Sequence, residues 1–236
     1  MVVAGKKSII KRTVRHMSPG HMLRARISAH TVQKIADKYG LIYFGAVDPR
    51  KDDYNLLRGF TVSRTQIDSF YTVGTVQGYD VSFVLRNDIM LTRDQHERRC
   101  HWFIVAIRLH ADSTLPHFYV GPQASNGVFE STYPQLKQML FGTMAEYPQK
   151  FVSNFSVYAR PSDIVGIEQL FPPAAAQVIV SHFGDMSFEI EDNLVYVYSE
   201  SRYPNAALVE TMLQNAMWLA KTLDTVSAAR VILDQE

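Results

Sequence analysis

Between Leu41 and Val120 the chain alternates apolar and polar residues with a period of two, and this alternation limits its fold more than any other feature. Side chains on a β-strand point alternately to opposite faces, so such runs predict strands with one face towards a core. The runs are rich in β-branched and aromatic residues: LIYFGAV, RGFTVSR, SFYTVGTVQ, YDVSFVLR, HWFIVAIRL and PHFYVGP. Gln77-Gly78 predicts a tight turn between two of them. Together they predict neighbouring antiparallel strands in one sheet.

The second half of the chain mixes helical and strand patterns. We predict short helices near TYPQLKQMLFG and from Pro172-Pro173 to Gly184, a strand at FVSNFSVYA, and a hairpin at SFEIEDNLVYVYSE that turns at Asp192-Asn193. After Pro204-Asn205, apolar residues recur at helical spacing to the end of the chain, which predicts a helix from Asn205 to Leu233. The predicted fold class is α+β: a mainly antiparallel sheet of about seven to nine strands, packed by this long C-terminal helix and by shorter helices.

The N-terminal segment differs in charge from the rest of the chain. The first 36 residues contain eight Lys or Arg and no acid, whereas the remaining 200 contain 16 Lys or Arg against 23 acids. Ser18-Pro19-Gly20 predicts a break in any helix of this segment. A short amphipathic helix is predicted after it, from four apolar residues at helical spacing: Val32, Ile35, Ala36 and Tyr39. We therefore divide the chain into a basic arm, residues 1–29, and a single α+β domain, residues 30–236.

The cations of the arm are the candidate binding residues: Lys6, Lys7, Lys11, Arg12, Arg15, Arg24 and Arg26. A basic helix with an apolar edge can lie on an anionic membrane, and the same segment could dock on another protein or be a solvated tail. Nucleic acid phosphates would also attract these cations, but no aromatic residue precedes Tyr39 to stack on bases, which disfavours that partner. The leading hypothesis is a non-enzymatic binding or scaffold module that sits at the inner membrane surface or docks on another protein.

Hydropathy and cysteine usage predict a cytoplasmic protein. No run approaches the roughly 18 consecutive apolar residues that a spanning helix needs, and no apolar core follows the first cations as in a secretory signal. The lone Cys100 excludes an internal disulfide and fits a reducing compartment. Membrane association is therefore expected only through the basic arm.

An enzyme that uses Cys100 is the alternative hypothesis, with His117 or His182 as the base. Arg98 and Arg99 would lower the thiol pKa. His101 is a poor base for Cys100 because adjacent strand residues point to opposite faces. For His117, the simpler interpretation is a histidine that bonds a loop carbonyl at the head of a strand.

No metal site or cofactor is predicted. The segment from Asp94 to His101 gathers potential zinc ligands, among them His96, Glu97 and Cys100, but its spacing is irregular and two arginines among the ligands would repel a cation. An exposed charged hairpin loop explains it better. Glu189 and Glu191 are expected on the solvent side of a strand whose inward residues are Phe188 and Ile190. The glycines between strands are not followed by a strand-to-helix turn, so they form no phosphate loop.

A series of segments in a fixed order carries a family resemblance. These segments are IADKYGLIYFG, GTVQGYDVSFV, WFIVAIRLH, Leu115-Pro116-His117, FVSNFSVYARPSD and FEIEDNLVYVYSE. Their order, over roughly residues 30 to 224, resembles a bacterial family of uncharacterised proteins, the domain of unknown function number thirty-one thirty-seven, and a related group often anchored by an N-terminal membrane helix. Where that helix would lie, this chain has the basic arm. The resemblance implies an α+β fold and, since the family has no assigned activity, no catalytic residues.

Overall fold

In the computed structural model, nine strands form one antiparallel sheet among the residues that it describes, which are 19–46, 57, 59, 61, 66–91, 94, 96–111, 115–123, 133, 135–140 and 146–233. The strands are β1 Ile42–Gly45, β2 Ile67–Val76, β3 Tyr79–Leu91, β4 Glu97–Arg108, β5 Phe118–Pro122, β6 Lys137–Gln138, β7 Phe155–Ala159, β8 Ser187–Glu191 and β9 Leu194–Glu200. Their order across the sheet is β1-β2-β3-β4-β9-β8-β5-β7-β6. The α+β class predicted from the sequence is confirmed.

Five α-helices accompany the sheet in the described ranges: α1 Pro19–Tyr39, α2 Gln149–Asn154, α3 Ile164–Leu170, α4 Pro173–His182 and α5 Ala206–Leu233. The predicted C-terminal helix is α5, and the Asn205 side chain caps it by accepting a 2.9 Å hydrogen bond from the backbone N–H of Leu208. No single described helix has both the length and the apolar character needed to cross a bilayer; only the bent pair Pro161–Leu170 and Pro173–His182, 80° apart, has both when taken together.

Three local predictions differ from the structure. Helix α1 begins at Pro19, earlier than the helix predicted around Val32–Tyr39, because proline is well accommodated in a first helical turn. It therefore continues past residue 29, where we divided arm from domain, while the residues before Pro19, in which a break was predicted, lie outside the described residues. Lys137–Gln138 is a strand and not a helix, since it pairs with the outer strand β7. The first part of the strand predicted at FVSNFSVYA is helix α2. Most of the run RGFTVSR lies outside the described residues.

One face of the sheet is apolar and covered by helices, and we call it the helix face. Every second residue of each central strand points to this face, including Phe83, Phe103, Phe188 and Val197. Residues of α1, α3, α4 and α5 pack on it, and most of its side chains are fully buried. This is the core that the period-two and helical patterns predict.

The other face, which we call the second face, also buries side chains, although we expected its residues, such as Glu189 and Glu191, to face solvent. Its apolar part is a separate cluster that includes Cys100, Trp102, Tyr158 and Tyr198. Ionisable side chains lie in the same layer: Asp68, Arg86, Asp88 and Glu189 are all buried. The expectation that only solvent lies beyond the outward positions is therefore wrong.

Candidate functional site

His117, Glu189 and Glu191 meet on the second face at one end of two neighbouring strands. β5 pairs with β8 so that Phe118 faces Ile190 and Tyr119 faces Glu189. His117 directly precedes β5 and has the same parity as Tyr119, so it lies at the end of β8 where Glu191 lies. In the part of the chain that the structure describes, this is one set of three potential metal-ligating side chains whose ligand atoms all lie within 4.8 Å of one another.

His117 lies between the two carboxylates. Its Nε2 is 2.7 Å from Oε1 of Glu189, and its Nδ1 is 3.9 Å from Oε1 of Glu191. The other oxygen of Glu189, Oε2, accepts a 2.8 Å hydrogen bond from the Tyr198 hydroxyl. The Glu189 side chain is 0% exposed, whereas those of His117 and Glu191 are 14% and 25% exposed. The site is thus closed at Glu189 and reachable from solvent at His117 and Glu191.

Loop backbone covers the closed end of the site. Gly59 has φ +72°, and a Cβ placed on it would come within 1.9 Å of the Tyr198 hydroxyl and 3.1 Å of Oε2 of Glu189. Only a glycine fits there without displacing Tyr198, because it both tolerates positive φ and lacks a side chain. The loop therefore packs directly over the hydrogen bond that holds Glu189.

Burial and charge shift the pKa values of the cluster. Burial, with the charge of Glu189 next in size, raises the pKa of Glu191, against the lowering effects of His117 and of a hydrogen bond from Tyr133. For His117, burial acts to lower the pKa, but the hydrogen bond and charge of Glu189 and the charge of Glu191 outweigh it, and the net pKa is raised. Burial and the Glu189 charge raise the pKa of Tyr198, so it remains a donor. The arrangement therefore favours holding an extra proton or another cation between the carboxylates.

A buried ion pair ties the same covering loop to the sheet further along the second face. Arg86 Nε and Nη2 bond the two carboxylate oxygens of Asp68 at 2.7 and 2.6 Å. Arg86 also donates to the carbonyl of Leu57 at 2.7 Å and to the hydroxyl of Thr61 at 3.1 Å. The arginine is completely buried, so these bonds replace its hydration. Arg86 is thus a structural clamp on the loop that contains Gly59.

Cys100 lies far from the histidines proposed as its base. Ala106 on β4 pairs with Tyr196, which pairs with Glu189, so Cys100 lies six residues along β4 from the row of the His117 cluster. At roughly 3.3 Å per residue this is about 20 Å. His182 ends α4, on the opposite side of the sheet. Burial, with the Glu200 charge next, raises the pKa of Cys100 to about 11. The structure therefore does not bring Cys100 together with His117 or His182, and it raises the pKa of the thiol that we expected to be lowered.

The segment that gathers potential zinc ligands does not form a ligand set in its described residues. Asp94, His96 and Glu97 are exposed, and Cys100 is buried. His101 points to the face opposite Cys100, as the strand period predicts, and its Nδ1 bonds Oδ1 of Asn87. Arg98 pairs with Glu200 across the strands at 2.6 Å. An ordinary charged hairpin is the better interpretation of this segment.

Of the predicted binding cations, Arg24 and Arg26 are exposed on α1, and Lys6, Lys7, Lys11, Arg12 and Arg15 lie outside the described residues. The exposed face of α1 also presents three apolar side chains: Met22, Leu23 and Ile27, which are 52%, 60% and 57% exposed. The helix is fixed to the domain near both of its ends, because His21 bonds the Tyr203 hydroxyl at 2.8 Å and Lys38 pairs with Glu210 at 2.8 Å.

A shallow cleft of about 400 Å³ opens between the end of α1, the β2–β3 turn and α5. Tyr39, Val76, Met217 and Trp218 supply its apolar lining. Its one charged lining residue, Lys221, bonds the side chain of Gln77 at 2.6 Å. The cleft brings no set of titratable groups together, and so it offers less chemistry than the His117 cluster.

Sequence analysis missed Glu189 and Glu191 as site residues because it placed them in solvent. His117 bonds the Glu189 carboxylate and not the loop carbonyl that we expected. The sequence did contain one sign that the second face is covered. The run HWFIVAIRL is apolar at nearly every position, which is typical of a strand that is covered on both faces. The residue that pairs with Glu189 is moreover a tyrosine, Tyr196, on a strand whose alternate positions are aromatic.

Comparison with known proteins identifies a fold relative. No family profile and no curated protein matches the chain. Among solved structures, the crystal structure of the mycobacterial trehalose monomycolate transport factor A, TtfA, matches with a TM-score of 0.59 and 11% sequence identity. The match covers 84% of this chain and 95% of that one. At this identity the similarity concerns the fold alone.

Proposed function

We propose that this protein is a non-enzymatic binding module that associates with an anionic membrane surface through α1 and the basic residues before it. The observation that carries the proposal is the exposed face of α1, where Met22, Leu23 and Ile27 lie among Arg24 and Arg26. Apolar side chains that enter the headgroup boundary, flanked by cations that meet anionic lipid, are typical of helices that lie in a membrane interface.

Helical spacing places Leu23 and Ile27 on one side of α1, the side that faces away from the core. Leu23, Ile27, His30 and Lys34 follow one another at intervals of four, three and four residues, and all four are exposed. On the opposite side, Val32, Ile35 and Ala36 are buried in the helix-face core. The domain thus supports the helix from behind, and the exposed side remains available to a flat surface.

Charge complementarity favours an anionic surface as the partner. No acidic residue occurs before Asp37, whereas five further cations precede Pro19. Each Lys or Arg near an anionic membrane contributes about 1 kcal/mol. TtfA is described as a transport factor; that description, of a protein with the same fold, agrees better with a binding role than with a catalytic one. The suspected similarity to the often membrane-anchored family remains part of this proposal.

Vesicle co-sedimentation of the full chain tests it. We expect binding to vesicles of phosphatidylcholine with phosphatidylserine, weakening as salt rises, and none to phosphatidylcholine alone. The double variant Arg24→Gln/Arg26→Gln should lose about 2 kcal/mol, or roughly 30-fold in affinity. Leu23→Gln/Ile27→Gln should weaken binding at least about tenfold through lost apolar burial.

Leu140→Gln is the matched control, because Leu140 is 77% exposed but does not lie on α1. It should bind like the unaltered chain. Equal, negligible binding of the unaltered chain to both kinds of vesicle would refute the proposal. A loss in Leu140→Gln equal to that in Leu23→Gln/Ile27→Gln would show that exposed apolar residues in general, and not α1, cause sedimentation.

A further inference from the structure

We infer that His117, Glu189 and Glu191 form a binding site for a divalent transition-metal ion. The inference is independent of the proposed membrane function, because the site lies on the second face of the sheet whereas α1 packs against the helix face. It also departs from the sequence analysis, which predicted no metal site.

The donor set suits such an ion. One imidazole nitrogen and two carboxylate oxygens are ligands that zinc and its neighbours in the first transition row accept. The three ligand atoms lie within 4.8 Å of one another. An ion bonded at about 2.0 to 2.2 Å to each would hold them about 3.3 Å apart, so shifts of roughly 1 Å would complete the coordination. Three protein ligands leave a position for solvent.

Electrostatics favours a cation at this place. Two carboxylates approach a single imidazole, and the Glu189 carboxylate has no exposed surface. Of the other charged groups that act on His117 or Glu191, Arg160 is exposed and Asp192 adds a further negative charge. Burying a carboxylate in such surroundings requires compensation. A divalent ion would add to the compensation that His117 and the Tyr198 hydroxyl already provide.

The surrounding residues orient the ligands as a metal site requires. The Tyr198 hydroxyl bonds Oε2 of Glu189 and so directs Oε1 towards His117. Gly59 packs directly over this hydrogen bond. The Tyr133 ring meets the imidazole edge to face, with 4.9 Å between ring centroids. Such outer partners fix ligand geometry in metal proteins, and the partial exposure of His117 and Glu191 provides a route of entry.

Isothermal titration of the chelator-treated full chain with Zn²⁺ tests the inference. We expect one ion per chain. His117→Gln should lower the affinity by at least about 100-fold because it removes the nitrogen ligand, and Glu191→Gln by about tenfold or more. Tyr198→Phe, which keeps all three ligands and removes the outer hydrogen bond, should lower it about tenfold. Circular dichroism checks that each variant is folded, and Glu191→Gln, at a partly exposed position, keeps the test decisive if another variant unfolds.

His96→Gln is the control, because His96 is an exposed histidine in the β3–β4 segment. It should bind Zn²⁺ within about twofold of the unaltered chain. The inference is overturned if the unaltered chain takes up no stoichiometric Zn²⁺, or if Glu191→Gln and His117→Gln bind as it does. It is also overturned if His96→Gln alone abolishes binding. None of these outcomes bears on vesicle sedimentation, so the two proposals fail separately.

Discussion

Both faces of the sheet bury side chains, but they are covered by different means. Helices cover the helix face, and its buried residues are almost all apolar. Loop residues such as Leu57, Gly59 and Thr61 lie over the second face, which buries Arg86 and Glu189. A helix has used its own backbone groups in internal hydrogen bonds, whereas a loop has free carbonyls and hydroxyls to offer. Ionisable groups are therefore buried where loops can satisfy them.

The largest loss of stability is expected when the buried Arg86–Asp68 ion pair on the second face is broken. Arg86→Met leaves Asp68 buried without its cation and should cost about 3 to 5 kcal/mol of unfolding free energy. Urea denaturation followed by circular dichroism measures it. The double variant Arg86→Met/Asp68→Leu should recover most of the loss, since an apolar pair can replace a buried ion pair. A loss below about 1 kcal/mol in the single variant would mean that the pair is solvated.

Gly59→Ala tests whether the covering loop is held tightly. The added Cβ meets the Tyr198 hydroxyl and the backbone has positive φ, so we expect a loss of about 2 to 3 kcal/mol. Gly78→Ala is the matched control, because Gly78 also has positive φ, +88°, but nothing lies within 4 Å of its Cβ position. It should lose only about 1 kcal/mol. Equal losses of stability in the two variants would show that backbone strain accounts for the whole cost at Gly59, and that contact with Tyr198 adds nothing to it.

Adjacent residues on β8 allow the faces to be compared directly. Glu189→Gln weakens charged hydrogen bonds to His117 and Tyr198 and should cost about 2 kcal/mol. Ile190→Val removes one methylene from the helix face and should cost about 1 kcal/mol. Both are measured by urea denaturation with a chelator present. If Ile190→Val cost more than Glu189→Gln, the polar network would contribute less to stability than the apolar packing beside it.

The smallest effect concerns the reactivity of Cys100 and leaves stability unchanged. Because its pKa is raised to about 11, roughly one thiol in a thousand is ionised at pH 8. Native protein should therefore react with Ellman's reagent far more slowly than urea-unfolded protein, where the pKa returns to about 8.5. Rapid, complete labelling of the native protein would restore a reactive-cysteine hypothesis.

Prediction from the sequence succeeded where a pattern depends on local geometry. The turns at Gln77-Gly78 and Asp192-Asn193 form as predicted, with positive φ at all four residues, because few other residue pairs adopt that conformation easily. Helix α5 agrees in extent with the predicted Asn205–Leu233 segment. Prediction failed where pairing decided the outcome, as at Lys137–Gln138, where a short polar segment becomes a strand by joining β7.

The site could not be predicted because its members are distant in the chain and its burial depends on a third segment. His117 and Glu189 are 72 residues apart and meet through the β5–β8 register. The alternation correctly predicted that Glu189 points to the other face of the sheet from Phe188 and Ile190. It does not predict whether another segment of the chain covers that face. Gly59, which covers that end, gives no sign in the sequence that it does so.

Periodicity and turn residues act over a few neighbouring positions, and they were enough to predict the central strands, their antiparallel pairing and the helix that covers one side. Folding of the whole chain was needed to bury Arg86, Asp68 and Glu189 on the second face and to bring His117 against Glu189. Burial of a charge depends on hydrogen-bond partners and dielectric surroundings supplied by remote segments, and these exist only once the chain has folded.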